Sequence, residues 1–236
     1  MDISSFLKSL MTEYTDFGIT EQVKKRFQEL IISWAEKYLR NYPWRENRTP
    51  YRVLISEILL TRTKADQVVP VYEKFVDIYP TIEEFLNVKK SKLKSLIKSL
   101  GLLFRADMLK EISVRLRNEF EGKIPDEIKD LKSLRGIGNY GANAILCFGF
   151  NKRRALLDSN FIRVFKRVFR ITAKTKTAKS DKFLWNFSEW LLPEKDFSNF
   201  NYGIIDLGGL ICTSIKPLHK RCPLRDICQH YEGLDT

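Results

Sequence analysis

Along most of the chain, apolar residues recur every three or four positions, the period of a helix that buries one face. Val23, Phe27, Leu30, Ile31, Trp34 and Tyr38 are the clearest run, and they predict an amphipathic helix over 20–41 with Thr20 as its N-cap. Thr49-Pro50 reads as N-cap and first helical position of a helix through Leu60. The same period predicts helices over 64–79, 81–87, 91–100, 106–120, 127–133, 139–150, 159–169, 180–192 and 200–212. Breaks fall at Pro80-Thr81, Gly101 and Gly122-Lys123-Ile124-Pro125. Strand-like alternation is scarce and no repeat of fixed period appears. The expected class is all-α, with residues 1–19 as a loosely attached extension.

Composition turns this scaffold toward an anionic partner. Lys and Arg total 41 against 29 Asp and Glu, a formal charge of +12. A basic excess of that size favours a polyanion such as nucleic acid. No apolar run approaches the ~20 residues of a membrane span. The start, Met1-Asp2-Ile3-Ser4-Ser5, lacks the basic region of a signal peptide. The expectation is therefore a cytoplasmic, nucleoid-associated protein with no membrane partner. The two Lys-rich runs at 89–94 and 174–179 read as solvated surface.

One stretch carries specific chemistry: Leu134-Arg135-Gly136-Ile137-Gly138-Asn139-Tyr140-Gly141-Ala142-Asn143-Ala144-Ile145, then Asp158 at the head of Ser159–Phe169. Leu131–Phe150 reads as helix, tight turn, helix. A Gly-x-Gly turn leaves backbone N–H groups unobstructed at a helix N-terminus, a place suited to a phosphate. Asp158 is placed to cap the next helix, and capping would hold its carboxylate at a fixed distance from bound DNA. Glu57 is the only acid in the apolar run Tyr51–Leu60, so burial would raise its pKa and keep it partly protonated near neutrality.

These segments together resemble the helix-hairpin-helix (HhH-GPD) DNA glycosylase superfamily, which includes endonuclease III, the adenine glycosylase MutY and the archaeal thymine–DNA mismatch glycosylase. The similarity runs over roughly 25–232 and includes Asp196-Phe197, 200–207 and Ile211-Cys212. It is greatest toward the mismatch glycosylase, which shares a tyrosine at Tyr140 and an arginine at Arg62. One departure is Arg135, where the family usually has proline.

The resemblance implies roles. Asp158 would be the catalytic aspartate, its charge stabilising oxocarbenium character in a deoxyribose as the N-glycosidic bond breaks. Glu57, Tyr140 and Asp158 would line the pocket for an extruded base, with Glu57 touching the base or the attacking water. Endonuclease III has a lysine where this chain has Tyr140, and a phenol forms no imine, so a monofunctional enzyme without lyase activity is expected. Arg62 would enter the duplex or contact the base left behind. Arg135, Gly136, Gly138 and Asn139 would contact the DNA backbone. The expected partner is double-stranded DNA with an extruded base, bound by a monomer.

Cys212-x6-His219-x2-Cys222-x5-Cys228 is the other strong pattern. In a reducing compartment, cysteines crowded into 212–228 point to metal rather than disulfides. The family loop has cysteine at all four places and holds a [4Fe–4S] cluster. Three thiolates and one imidazole suit either such a cluster, at raised potential, or tetrahedral zinc. Loss of the metal is the remaining alternative. Its role would be structural, fixing the basic loop 216–225 for DNA. Cys147, inside an apolar helix, reads as core, and His230 as surface.

The implied architecture has two lobes: a six-helix barrel lobe over 46–150, with the helix-hairpin-helix at about 131–150, and a second helical lobe joining 20–45 to 151–236 with the metal loop at 212–228. DNA would lie in the cleft between them. The implied reaction is base excision repair of thymine or uracil opposite guanine. Alternatives are a chemically modified pyrimidine such as a modified cytosine (possibly in foreign DNA), then adenine excision, then a DNA-binding protein without catalysis. MutY's additional C-terminal domain has no counterpart here, which disfavours adenine.

Overall fold

A computed structural model of the chain describes residues 17–232. Its principal helices are α1 (Glu21–Tyr38), α2 (Pro43–Glu46), α3 (Pro50–Leu60), α4 (Ala65–Ile78), α5 (Ile82–Leu86), α6 (Lys90–Ile97), α7 (Phe104–Glu119), α8 (Ile128–Ser133), α9 (Asn139–Ala144), α10 (Ser159–Phe169), α11 (Lys182–Leu191), α12 (Phe197–Leu210) and α13 (Gln229–Glu232). The described residues form no β-strand, in keeping with the all-α expectation. No described helix is long and apolar enough to cross a membrane.

The chain divides into two compact units. One is Asn41–Arg154 and the other combines the residues up to Arg40 with those from Ala155 onward. In Asn41–Arg154 the central element is α3. Thr49 caps it by accepting from the Arg52 N–H, and Pro50 opens it. Tyr51, Val53, Leu54, Ile55, Ser56, Ile58 and Leu59 are all buried, so the helix is apolar on nearly every side. It packs against α9 and its continuation. There Gly149 backs onto Pro50 so closely that an added Cβ would stand 2.7 Å from Pro50 Cα. The helix predicted over 139–150 is α only to Ala144 and passes into a π-helical turn, Ile145–Gly149, where this close approach occurs. Cys147 is fully buried in that turn, a core residue as expected.

The other unit is held by α1, α10 and α12. Thr20 caps α1 as predicted, accepting from Val23 N–H. Gly203 on α12 lets α1 approach until an added Cβ would meet Ile31 Cγ2 at 2.8 Å. Phe27 of α1 lies edge-on to Phe200 of α12 at 6.0 Å. At the end of α1, Arg40 reaches the fully buried Asp206 of α12 with its Nε at 2.9 Å and Nη2 at 2.6 Å, while its backbone N–H also donates at 2.8 Å. Helix α10 buries Phe161, Val164, Phe165, Val168 and Phe169, exposes Lys166 and directs Arg163 and Arg167 at the chain from Gly208 to Ser214.

Three differences from the sequence reading have local causes. Most of the extension at 1–19 lies outside the described residues. Phe17 at its end packs on Phe183, Phe187 and Trp190, and Ile19 is buried, so that end is fastened to the unit. Helix α2 is too short to show a period. Helix α12 starts at Phe197 because Asp196, in left-handed backbone, ends the preceding loop there.

Candidate active site

The hairpin is built by burial on alternate sides of its turn. Leu131, Leu134, Ile137 and Ala142 are buried, while Arg135, Gly136 and Gly138 are exposed. Leu134 N–H and Ile137 N–H close successive short turns onto Leu131 and Leu134 carbonyls, both at 3.1 Å. The two glycines are there for different reasons. Gly136 has φ +83, a left-handed conformation that side-chain-bearing residues rarely adopt, so the turn itself favours glycine, while the Met108 methyl beside it is the flexible end of a side chain. Gly138 has φ −89 and nothing within 4 Å of an added Cβ, so the fold does not need glycine there. What glycine leaves at 138 is bare backbone in front of α9. The first N–H groups of a helix lack intrahelical partners, and no side chain caps α9. Asn139 is half-buried, and its backbone carbonyl accepts from Asn143 Nδ2 at 2.8 Å. Arg135, the departure from the family pattern, pairs with Glu111 at 2.8 Å with both side chains about half exposed, a contact worth ~0.2–1 kcal/mol and easily exchanged for a phosphate. Tyr140, in the first turn of α9, is half-buried.

Glu57 is half-buried near the end of α3, which packs against α9. The hairpin and the Glu57 helix are thus neighbours in one unit. Immediately beyond α3, Arg62 is exposed and held in left-handed backbone at φ +57. A second strained turn precedes α7. Gly101 has φ +67 and Leu102 φ +47, and Leu102, Leu103 and Phe104 are all exposed by 36% or more. Non-glycine residues in this conformation cost about 1–2 kcal/mol each. Three consecutive exposed apolar side chains on such a turn were missed in the sequence, although apolar residues outside the helical period directly after a glycine are a visible signal.

Asp158 lies in the other unit and caps α10. Its Oδ1 accepts from the backbone N–H of Asn160 at 2.8 Å and of Phe161 at 3.0 Å. Its Oδ2 accepts from Asn160 Nδ2 at 2.9 Å. Three N–H donors suit an anion and fix the carboxylate's direction. Asn160 is itself oriented, because Arg163 Nη2 donates to its Oδ1 at 2.7 Å. The same nitrogen donates to Gly208 O at 2.7 Å, and Arg163 Nε donates to Cys212 O at 2.7 Å. Arg167, one turn on, donates to Cys212 Sγ at 3.3 Å, Thr213 O at 2.6 Å and Ser214 O at 3.0 Å. Asp158 and Cys212, far apart in sequence, therefore sit in one hydrogen-bonded network whose middle members, Asn160, Arg163 and Arg167, the sequence did not disclose.

Cys212, His219, Cys222 and Cys228 line one small cavity together with Arg167 and His230. Burial pushes the Cys222 thiol up to about 11, with Cys212 and Cys228 adding to the effect. His219 Nε2 is buried without a hydrogen-bond partner. An orphaned imidazole nitrogen beside three thiols is a donor set that fits a soft metal group. Among the described residues, no three His, Cys, Asp or Glu side chains are gathered as ligands of a single ion. His230 is exposed at its edge but stands 5.8 Å from the His219 ring and faces the same cavity.

Comparison with known proteins bears on this geometry. Residues 55–189 match the model of the HhH-GPD superfamily base excision DNA repair proteins. A thymine/uracil-DNA glycosylase of Methanothermobacter thermautotrophicus is 35% identical over 92% of this chain and 98% of its own length. A thymine-DNA glycosylase of Aeropyrum pernix is 34% identical over 93% of this chain and 99% of its own. The solved structure of a thermostable thymine-DNA glycosylase superposes with a TM-score of 0.82 at 34% identity, covering 90% of this chain and 98% of that one.

Proposed function

Because the chain belongs to the HhH-GPD superfamily of base excision DNA repair proteins, we propose that it is a DNA glycosylase that removes thymine or uracil mispaired with guanine and leaves an abasic site. The observation that carries this reading is the end-to-end match to a thymine/uracil-DNA glycosylase, 35% identical over 98% of that protein.

The chemistry follows from the residues in place. A glycosidic carbon inside a stacked duplex is out of reach, so the nucleotide swings out. The bare backbone at Gly136, Gly138 and Asn139 takes a phosphate at the head of α9, and Arg135 adds a cation. The exposed, apolar Leu102 enters the base stack as a wedge, and Arg62 meets the base left behind. The C1′–N1 bond breaks with its electron pair leaving on the pyrimidine. Asp158 stabilises the positive charge that grows on the sugar. Water then adds to C1′ and gives up a proton, with Glu57 handling proton transfer at the water or the departing base. Tyr140 packs against the base; its phenol forms no Schiff base, so the strand stays intact.

The loop at 212–228 holds a [4Fe–4S] cluster through Cys212, His219, Cys222 and Cys228 in this reading. Support comes from the spacing, the shared cavity and the buried, unpartnered His219 Nε2. The group would supply cross-linking of the loop. Brown protein absorbing near 400 nm after anaerobic purification is expected; colourless protein with one bound zinc overturns the cluster.

The test of function is a panel of duplexes carrying mispaired or modified bases, treated with alkali after incubation, with the released base identified by mass spectrometry. Release of thymine or uracil opposite guanine, with breakage only after alkali, is expected. Release of adenine or of a modified cytosine alone replaces the substrate, breakage without alkali overturns the monofunctional assignment, and no release from any duplex overturns catalysis.

A further inference from the structure

Among the described residues Arg105 is the largest fully buried side chain, and it is placed where a cation is least expected, in the first turn of α7. Among the described residues no carboxylate pairs with it. Its Nη2 donates instead to Thr61 O and Thr63 Oγ1, one on each side of Arg62. Its backbone N–H donates at 3.0 Å to Leu102 O. Nε and Nη1 are buried with no partner. The residue thus touches two turns, each with a non-glycine residue in left-handed backbone, Arg62 at φ +57 and Leu102 at φ +47.

A buried cation with two idle nitrogens contributes poorly to stability, and an apolar side chain of similar size would fold at least as well. Desolvation also pulls its pKa below the ordinary arginine value. What Arg105 does supply is geometry. A forked guanidinium binding both neighbours of Arg62 fixes the direction in which Arg62 leaves the surface, and the same residue ties that turn to the one bearing Leu102. Strained backbone persists only where its surroundings over-determine it, and Arg105 is the contact shared by both turns.

We propose that Arg105 is a positioning residue that sets Arg62 and Leu102 in register with each other, and so governs how fast the extruded base is excised and how tightly the opened duplex is held. This rests on the reading of Arg62 and Leu102 as the residues that enter the duplex.

The test uses the full chain with Arg105→Met, Arg105→Lys, Thr63→Val, Arg62→Ala and the Arg62→Ala/Arg105→Met double variant. Single-turnover excision of thymine opposite guanine is measured beside thermal midpoint and affinity for a duplex bearing an abasic-site analogue. Arg105→Met is expected to keep or raise the thermal midpoint while losing at least tenfold in rate, with Arg105→Lys recovering part of the loss. Thr63→Val, which removes one acceptor from a half-exposed site, is expected to lose several-fold and serves if Arg105→Met fails to fold. The double variant is expected to lose less than the product of the two single losses, because the part of Arg105 that acts through Arg62 is already gone. A loss equal to the product of the two single losses, or a lowered midpoint with unchanged rate, overturns the proposal. If the unmodified chain excises nothing, the functional reading fails separately. Affinity for the abasic-site duplex then carries the same comparison, and additive losses there overturn the role of Arg105 by themselves.

Discussion

Replacing Asp158 by asparagine separates chemistry from structure more cleanly than any other single change in this protein. Asparagine caps a helix as well as aspartate does, so the Oδ1 bonds to the Asn160 and Phe161 N–H groups, at 2.8 and 3.0 Å, survive. The other oxygen becomes an NH2 facing Asn160 Nδ2, donor against donor, where a 2.9 Å bond stood. Asn160 has no easy escape by turning its amide, because its Oδ1 already accepts from Arg163 at 2.7 Å. One hydrogen bond is lost, about 1 kcal/mol. In a protein of this size that lowers the thermal midpoint by roughly 2–4 °C. The catalytic loss is much larger. Removing one preorganised electrostatic group facing developing charge typically costs about 2.7–4 kcal/mol, or roughly 10²–10³ in rate. Single-turnover excision from a guanine–thymine duplex should therefore fall at least a hundredfold in Asp158→Asn, while affinity for a duplex with an abasic-site analogue, followed by fluorescence anisotropy, changes little. A variant that excises within a few-fold of the parent refutes the role of the charge. A midpoint drop beyond 10 °C shows that the carboxylate serves the fold instead.

The hairpin glycines should part company: Gly136→Ala is expected to lose about 1–2 kcal/mol in urea denaturation, from left-handed strain. Gly138→Ala should stay within ~0.5 kcal/mol of the parent yet bind DNA several-fold more weakly, and equal stability losses in the two would contradict this. Asp206→Asn takes the fully buried anion out of the Arg40 pair and, with the Arg40 side chain 32% exposed to water, should cost about 1–3 kcal/mol, read as a shift of denaturation midpoint at constant slope. Asp181 accepts N–H bonds from Leu184, Lys174 and Thr175, which hold its carboxyl below the ordinary carboxylate range. The stability it supplies is then full above about pH 4 and lost as pH falls through the lower folded value. The gap between parent and Asp181→Asn should close in that acid range, and a gap independent of pH would show that the charge contributes nothing.

Much of the scaffold could be read from residues whose physics is local. Thr20, Thr49-Pro50 and Asp158 announce helix starts by themselves because a cap needs only its own next turn. The hairpin was visible for the same reason. What stayed hidden depends on neighbours distant in sequence. Gly136 and Gly138 look alike in the sequence, and only the folded turn, left-handed at Gly136 and not at Gly138, tells them apart. Arg163 looked like one more basic residue on an amphipathic helix, and its link from Asn160 to Cys212 needs α12 alongside. Arg105 sat in a break before the predicted start at 106, so a helix beginning at Phe104 and closing over a buried guanidinium had no period to betray it.

The fastening of α1 to α12 sets an order for the newborn chain. Arg40 and Asp206 are 166 positions apart, whereas the whole of Asn41–Arg154 is available before α12 has been made. At about 5–20 residues per second on a ribosome, α1 waits on the order of 10–30 s for its companion. Throughout that interval Ile31 and Trp34 lack the α12 face that covers them. Slow translation of the middle of the message would lengthen their exposure, and holding chaperones would find their target there rather than in the segment that can close on itself at once.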